Sequence, residues 1–351
     1  MILYECMKTH EMETTAGALV APGKGILAAD ESQPTIEKRF KSTGVLCTEE
    51  NRRAYRELLF TTPGLGTHIS GVILFEETLR QKAADGTPLV EVLQRQGIIP
   101  GVKVDKGAKA LAGFPGEKIT EGVDGLRDRL AEYARLGARF TKWRAVITIG
   151  ASIPGRTSLE SNAQGLARFA ALSQEVGLVP IVEPEVLMDG VHSIERHFEV
   201  TEAILQAVFH SLFEHRVCLG AMLLKPNMIL SGKESPQQAG VAEVAAATLI
   251  CMRRAVPAAV PGLVFLSGGQ SDVLATQHLN AINQLPGRPW EASFSFGRAL
   301  QAPALIAWSG EAGRASAAQK ALYHRARCNS AARFGKYAEA MEAEQLEGAS
   351  I

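Results

Sequence analysis

The sequence predicts an α/β protein built as a single (β/α)8 (TIM) barrel, with a helix before the barrel and a C-terminal helical extension and tail behind it. Eight short apolar runs alternate with stretches of helical spacing, the pattern of parallel strands joined by crossover helices. Nearly every run ends on a polar or charged residue, as strands do where they open onto the mouth of a barrel. The competing fold, a doubly wound open sheet, should carry a glycine-rich dinucleotide turn after its first strand. This chain instead has Ala28-Ala29-Asp30-Glu31-Ser32 there.

In chain order, an N-terminal helix leads to residues 25–30, a short buried strand ending in Asp30. Residues 48–60 open with Thr48 as a cap, continue with two acids and keep helical spacing. Residues 68–75 read as the second strand and 102–105 as the third, where a period of two puts Lys103 and Asp105 on one face. A helix over 122–136 precedes the strand 140–147, in which Lys142 and Arg144 share a face. A helix over 159–176 precedes the strand 178–185, which closes on alternate glutamates, Glu183 and Glu185. Pro180 and Pro184 sit awkwardly in a central strand, so they are assigned to its first turn and its end. After a long helix, 194–214, the apolar run Ala221-Met222-Leu223-Leu224 ends at Lys225 and is stopped by Pro226. A helix over 237–256, a strand over 262–269, a helix over 271–283 and a strand over 292–298 complete the eight. This organisation implies one domain over residues 1–335, with a small, acidic tail, 336–351, that is flexible and loosely held from about Ala332 onward.

Bulk composition narrows the class. The chain has 351 residues, long for one ordinary domain but usual for a barrel with insertions. Its 46% hydrophobic and 21% charged content is that of a water-soluble globular protein. The 37 basic residues balance 37 acidic ones, so nothing global favours nucleic acid or a membrane surface, and any anion must be held by local groups. Cys6, Cys47, Cys218, Cys251 and Cys328 form no CxxC pair and suit a reducing compartment. The N-terminus shows no signal or transit peptide, and no apolar run reaches the ~20 residues of a membrane span. A cytoplasmic location is expected; an organelle leader already removed is compatible with it.

The strand ends bring Asp30, Lys103, Asp105, Lys142, Arg144, Glu183, Glu185, Lys225, Ser267 and Arg298 to one mouth. Lys225 is the centre of this set. A lysine held in partial burial at a strand tip is biased towards its neutral, nucleophilic amine; the bland alternative is a side chain that snorkels to solvent. Forming a Schiff base at pH 7 needs about 4 kcal/mol of bias towards the free amine, which burial and a neighbouring cation such as Lys142 would supply. Ser267-Gly268-Gly269, after an apolar strand and before a helix, reads as a phosphate cradle of bare N–H groups at a helix N-terminus. It also reads as an ordinary tight turn. Arg298, at the next strand end, would add a charge-assisted clamp. His192, Glu195 and His197 have neither zinc-protease spacing, and the histidines share no helix face, so no metal is assigned. Lys38-Arg39 with Arg52-Arg53 is either a solvated face or a second phosphate site at the rim.

The segments Gly25-Ile26-Leu27-Ala28-Ala29-Asp30-Glu31-Ser32, Lys142-Trp143-Arg144, Val182-Glu183-Pro184-Glu185, Leu223-Leu224-Lys225-Pro226-Asn227, Leu266-Ser267-Gly268-Gly269-Gln270-Ser271 and Gly297-Arg298-Ala299-Leu300-Gln301 resemble, in order and spacing, class I fructose-bisphosphate aldolase. The likeness runs from about residue 10 to about residue 335. It implies that Lys225 forms a Schiff base with the C2 ketone of fructose 1,6-bisphosphate and that Glu183 moves protons around the carbinolamine, with Glu185 and Lys142 beside it. It implies that Asp30 takes the proton of the C4 hydroxyl. Ser267, Gly268, Gly269, Ser295 and Arg298 would hold the C1 phosphate, Thr35, Arg39, Arg52 and Lys103 match the other phosphate and hydroxyl contacts, and Arg144 and Gly297 are counted with the substrate-binding residues. No metal or other cofactor is implied, the partners are sugar phosphates, and the family is commonly tetrameric.

Three departures from the family pattern stand out. Gln33-Pro34 replaces a common Thr-Gly and is expected to stiffen a loop leading to Arg39. Thr148 stands where lysine is frequent, and the chain ends in Ile351 instead of the tyrosine that protonates the enamine in many eukaryotic members. A Schiff-base aldolase preferring a sedoheptulose bisphosphate or fructose 1-phosphate therefore stays open, as does a weakly catalytic barrel used as a binding scaffold.

Overall fold

The computed structural model describes residues 2–344. Eight parallel strands close into a barrel: β1 Gly25–Ala29, β2 Ile69–Leu74, β3 Ile99–Lys103, β4 Phe140–Ile147, β5 Val179–Val186, β6 Leu223–Leu224, β7 Gly262–Phe265 and β8 Glu291–Phe296. Each strand pairs with its sequence neighbours, and β1 pairs with β8 to close the ring. Helices cover the outside, several of them started by the hydroxyl caps that their sequences offer. Thr48 accepts from the Asn51 N–H, Ser193 from Arg196 and Ser271 from Leu274.

Strand periodicity divides the barrel interior into an apolar floor and a charged upper layer. Ile26, Phe140, Ile181, Leu223 and Val264 meet Met12, Ala16 and Leu19 of the N-terminal helix Ile2–Leu19, which plugs the bottom. Small residues make the room: a Cβ on Gly101 would come within 2.3 Å of the Phe140 ring. Two residues further along the same strands, the inward positions become Lys103, Lys142 and Glu183. The floor residues are buried almost completely, so polar groups held just above them must satisfy one another or a ligand.

Several expectations are corrected. Pro180 and Pro184 both lie inside β5, opposite Thr141 and Ala145 of β4. They are tolerated because the N–H groups of Val179 and Leu187 serve the β4 side, whereas the prolines' missing donors face β6. That strand is only two residues long, its neighbour Leu219–Ala221 having turned into 3-10 helix. The third strand starts three residues earlier than expected, at Ile99. Gln33-Pro34 begins a helix, Gln33–Lys41, in which Pro34 occupies the first turn, where its absent N–H costs nothing. Two short strands, Ala108–Ala110 and Lys118–Thr120, form a hairpin that was not anticipated.

The chain also stays docked beyond Ala332. Arg333 and Tyr337 are buried, the Tyr337 N–H donates to Asn280 Oδ1 at 2.9 Å, and Glu342 pairs with Arg325. Small, acidic composition hid these anchors; the acid finds its cation on a helix already packed against the barrel. The rest of the expected tail, 345–351, including the terminal isoleucine, lies outside the described residues.

Candidate active site

The C-terminal ends of the strands open into a cavity of about 1040 Å³. On its floor runs a chain of alternating charges. Lys142 Nζ stands 2.6 Å from Asp30 Oδ2 and 2.9 Å from Glu183 Oε2, and Glu183 Oε1 stands 3.2 Å from Lys225 Nζ. Glu183, Lys142 and Lys225 are buried almost completely, so this chain is far less screened than a surface ion pair. Lys225 is therefore not the strand-end lysine that snorkels outward. Its N–H donates to Val182 O at 2.8 Å, which pins the backbone just past β6 and aims the amine inward.

The local charges override desolvation. Burial works against ionisation of Asp30, yet Lys142, and behind it Lys225 and Lys103, hold its carboxyl well below the usual range. For Glu183 burial is again the largest influence and again loses, to Lys142 first and Lys225 next. Burial likewise disfavours charge on Lys142, but Asp30, Glu183 and Asp105 together push its ammonium to higher pKa than an ordinary lysine. Two ionised carboxylates and a fixed ammonium thus surround one buried primary amine. Such a set can take up and return protons at an atom bonded to the amine.

Past β7, the strand that pairs with the strand of Lys225, Ser267-Gly268-Gly269 forms a tight turn before the helix Asp272–Gln284. Gly269 has φ +144°, a conformation open to glycine, and a Cβ there would meet Met188 Sδ at 2.8 Å. Gln270 holds the turn: its Nε2 donates to Ser267 O at 2.9 Å, its Oε1 faces His278 Nδ1 at 2.5 Å, and its carbonyl accepts from Arg298 Nη2 at 3.1 Å. Beside it the buried Ser295 hydroxyl, on the cavity wall, has no protein partner. A buried hydroxyl without a partner is costly unless a ligand meets it.

A family model, "Fructose-bisphosphate aldolase class-I", matches residues 11–350. A probable fructose-bisphosphate aldolase class 1 of Xanthomonas campestris is 57% identical over 332 residues, 94% of this chain and 99% of its own length. The chain belongs to the class I fructose-bisphosphate aldolases. Fructose-bisphosphate aldolase 4, cytosolic, of Arabidopsis thaliana is 52% identical over 348 residues, 99% of this chain and 88% of that one. The fructose-bisphosphate aldolase of Plasmodium falciparum, solved with TRAP and a small-molecule inhibitor, superposes with a TM-score of 0.93 at 50% identity, covering 94% of this chain and 96% of its own. Membership of the class makes the chain a metal-independent aldehyde-lyase.

Most expected site residues line the cavity of this aldolase. Thr35, Arg39, Lys103, Arg144, Glu185, Gly297 and Arg298 do so together with the floor and the serine turn. Their partners differ from simple adjacency. Glu185 pairs with Arg144 and not with a floor lysine, and Lys103 Nζ sits 2.5 Å from Asp105 Oδ1, the partner on its own strand face. Arg52 is the exception, placed outside the cavity with its guanidinium at 2.6 Å from Glu77. One turn later on the same helix, Arg56 turns inward instead and pairs with Glu31, which also holds Arg39 and accepts from Gln301 Nε2 at 2.8 Å. Of the basic cluster, Lys38 and Arg39 thus face the cavity, while Arg53 pairs with Glu50 and Glu57 on a helix surface. Thr148 does not reach the cavity.

Glu31 was the residue missed, although its motif was noticed. The signal available was a second carboxylate beside Asp30, which on burial needs cations of its own. Lys106 and Lys118, around the unanticipated hairpin, add positive charge to the rim. The histidines, in contrast, do meet: His192 folds back and its ring stacks on His197 at 5.3 Å. Yet His197 spends both nitrogens, Nδ1 accepting from Leu230 N and Nε2 facing Val186 O, which leaves none for a metal.

Acid should unfold this aldolase through these carboxylates. Glu31 is held below its unfolded value of 4.5 despite burial, by Arg56 and then Arg39; Glu183 is held below 4.5 and Asp30 below 3.8. A depressed carboxyl contributes stability that is present above its unfolded pKa and lost as pH falls towards its folded one. The Tm is therefore expected to drop steeply from about pH 5 to pH 3, and Glu31→Gln should lower Tm at pH 7 and flatten that slope. A Tm indifferent to pH across this window would contradict the assignment.

Proposed function

We propose that this chain reversibly cleaves fructose 1,6-bisphosphate to dihydroxyacetone phosphate and glyceraldehyde 3-phosphate through a Schiff base on Lys225. The single observation that supports it most is the Lys225–Glu183–Lys142–Asp30 chain sharing one cavity with the serine-glycine turn, which follows the strand next to that of Lys225. Glu183 takes the proton that the Lys225 ammonium must lose. The free amine adds to the C2 ketone, and the resulting carbinolamine loses water, with Glu183 and Lys142 exchanging the protons. Asp30, ionised, accepts the C4 hydroxyl proton as the C3–C4 bond breaks. The bond's electron pair moves into the iminium to give an enamine, and the aldehyde leaves. Protonation at C3 and hydrolysis release the ketone and return the amine.

In the same reading, Ser267, Gly268, Gly269, Ser295, Gly297 and Arg298 hold the C1 phosphate, the Ser295 hydroxyl, which no protein group engages, being free to donate to it. Thr35, Arg39 and Lys103 receive the other end of the substrate, and Glu185 orients Arg144. Arg52, on this reading, is held by Glu77 and makes no substrate contact. We take the barrel and its docked C-terminal segment as one domain. A homotetramer belongs to the same reading and rests on the family likeness alone. A cytoplasmic location fits the Arabidopsis relatives named cytosolic, and among the described residues no helix is long and apolar enough to cross a membrane.

The test is reductive trapping. Borohydride added with dihydroxyacetone phosphate should inactivate the enzyme and leave a mass adduct on the peptide containing Lys225, with EDTA making no difference to either. An unlabelled Lys225, or turnover abolished by the chelator, would refute the proposal.

A further inference from the structure

Away from the barrel mouth, the C-terminal part of the chain brings together three side chains of metal-binding type. His324 and Cys328 are four residues apart on the helix Ala315–Arg333 and therefore project from one face. Glu342 arrives from the short helix Ala340–Ala343. His324 Nε2 lies 3.7 Å from Cys328 Sγ and 3.6 Å from Glu342 Oε2, and the three donor atoms all lie within 4.8 Å of one another. The nitrogen–oxygen separation is too long for a good hydrogen bond, and the thiol–imidazole contact is a weak one. Both distances are, however, the spacing of ligands around a tetrahedral zinc ion, where metal distances of ~2.0 and ~2.3 Å put nitrogen and sulfur about 3.5 Å apart.

The surroundings orient the set. The Tyr337 hydroxyl donates to Glu342 Oε1 at 2.8 Å, and Arg325 Nη1 bridges both carboxylate oxygens, so Oε2 is held towards the histidine as an outer-shell partner would hold it. Cys328 is wholly buried, and the His324 side chain is 16% exposed, which leaves an entry path on the histidine side. One nitrogen, one sulfur and one oxygen donor select a borderline-soft divalent ion over calcium or magnesium.

We propose that His324, Cys328 and Glu342 form a structural site for zinc or a similar divalent transition metal, with water as the fourth ligand. Binding breaks the Cys328 S–H bond, the proton going to solvent and the sulfur lone pair to the metal. The ion clips residues 337–344 to the long helix. Arg325 on that helix also donates to Asp272 O at 3.1 Å, at the start of the helix that follows the serine-glycine turn, so the clip braces the wall of the cavity without entering it. None of the three ligands lines the cavity, and the chemistry at Lys225 proceeds without the ion.

Cobalt(II) titrated into chelator-treated full-length protein tests this directly. One ion per chain is expected, with a near-ultraviolet thiolate-to-metal charge-transfer band, and no cysteine lines the active-site cavity to imitate it. Zinc in large excess over its dissociation constant should raise the Tm by about 5 °C. Cys328→Ser should abolish the band. His324→Ala, whose side chain is partly exposed and which should fold normally, should weaken cobalt binding at least ~10-fold. Absence of the band, or a band and affinity unchanged in His324→Ala or Cys328→Ser, overturns the site. Because the readouts are spectral and thermal, they do not depend on whether Lys225 is trapped by borohydride.

Discussion

Lys225→Met is expected to reduce kcat for fructose 1,6-bisphosphate cleavage by about 10⁵-fold or more, with little change in Tm. Methionine keeps the length and apolar stem of lysine while removing the only atom that can bond to the ketone. The site tolerates this loss because Glu183, which stands 3.2 Å from Lys225, also stands 2.9 Å from Lys142. One of its two cations remains, so no carboxylate is left buried and unpaired. Borohydride trapping should vanish in parallel. If Lys142 or Lys103 were the true nucleophile, the variant would still trap substrate and keep kcat within about tenfold of the parent, and the assignment of Lys225 would fall. The same variant separates catalysis from scaffolding: a barrel kept for binding a partner would bind it unchanged without the amine.

The chain shows its barrel plainly because a parallel strand buried on both faces reads as an apolar run, and because polarity rises at the mouth. The shared face of Lys103 and Asp105 and the alternate glutamates Glu183 and Glu185 follow from a period of two and are legible. Which charge meets which is not. Glu31 finds Arg56 and Gln301, 25 and 270 residues away, and no local pattern encodes such distances. Arg52 and Arg56 are one helical turn apart, so spacing gives both the same face, yet Arg56 reaches Glu31 while Arg52 stops at Glu77. Gln33–Lys41 looked like loop because it has a proline and no acid in its first turn. Its two buried residues, Ile36 and Phe40, make too thin an apolar stripe to announce a helix.

Lys142→Met should be the more damaging change to the molecule as a whole. Lys142 is the cation between Asp30, at 2.6 Å, and Glu183, at 2.9 Å. Removing it leaves two carboxylates buried near one another, Glu183 with Lys225 alone and Asp30 without its closest partner. A broken buried pair of this kind costs about 3–5 kcal/mol. Loss of a positioned proton donor should lower kcat by about 10²–10⁴-fold. The pH dependence should also change sign near neutrality. Burial is the largest influence on both carboxyls and raises them; with Lys142 gone it dominates at Asp30. A carboxyl raised above its unfolded value is most favourable to folding when protonated, so mild acid should relieve the variant while it begins to unfold the parent. Adding Asp30→Asn to Lys142→Met removes the stranded charge and should recover a good part of the stability with none of the activity. Denaturation midpoints of parent, single and double variants at pH 7 and pH 5 decide the matter. A double variant no more stable than Lys142→Met alone would mean that Lys142 matters to the fold by its packing, and that the alternating charges on the cavity floor are not what holds that floor in place.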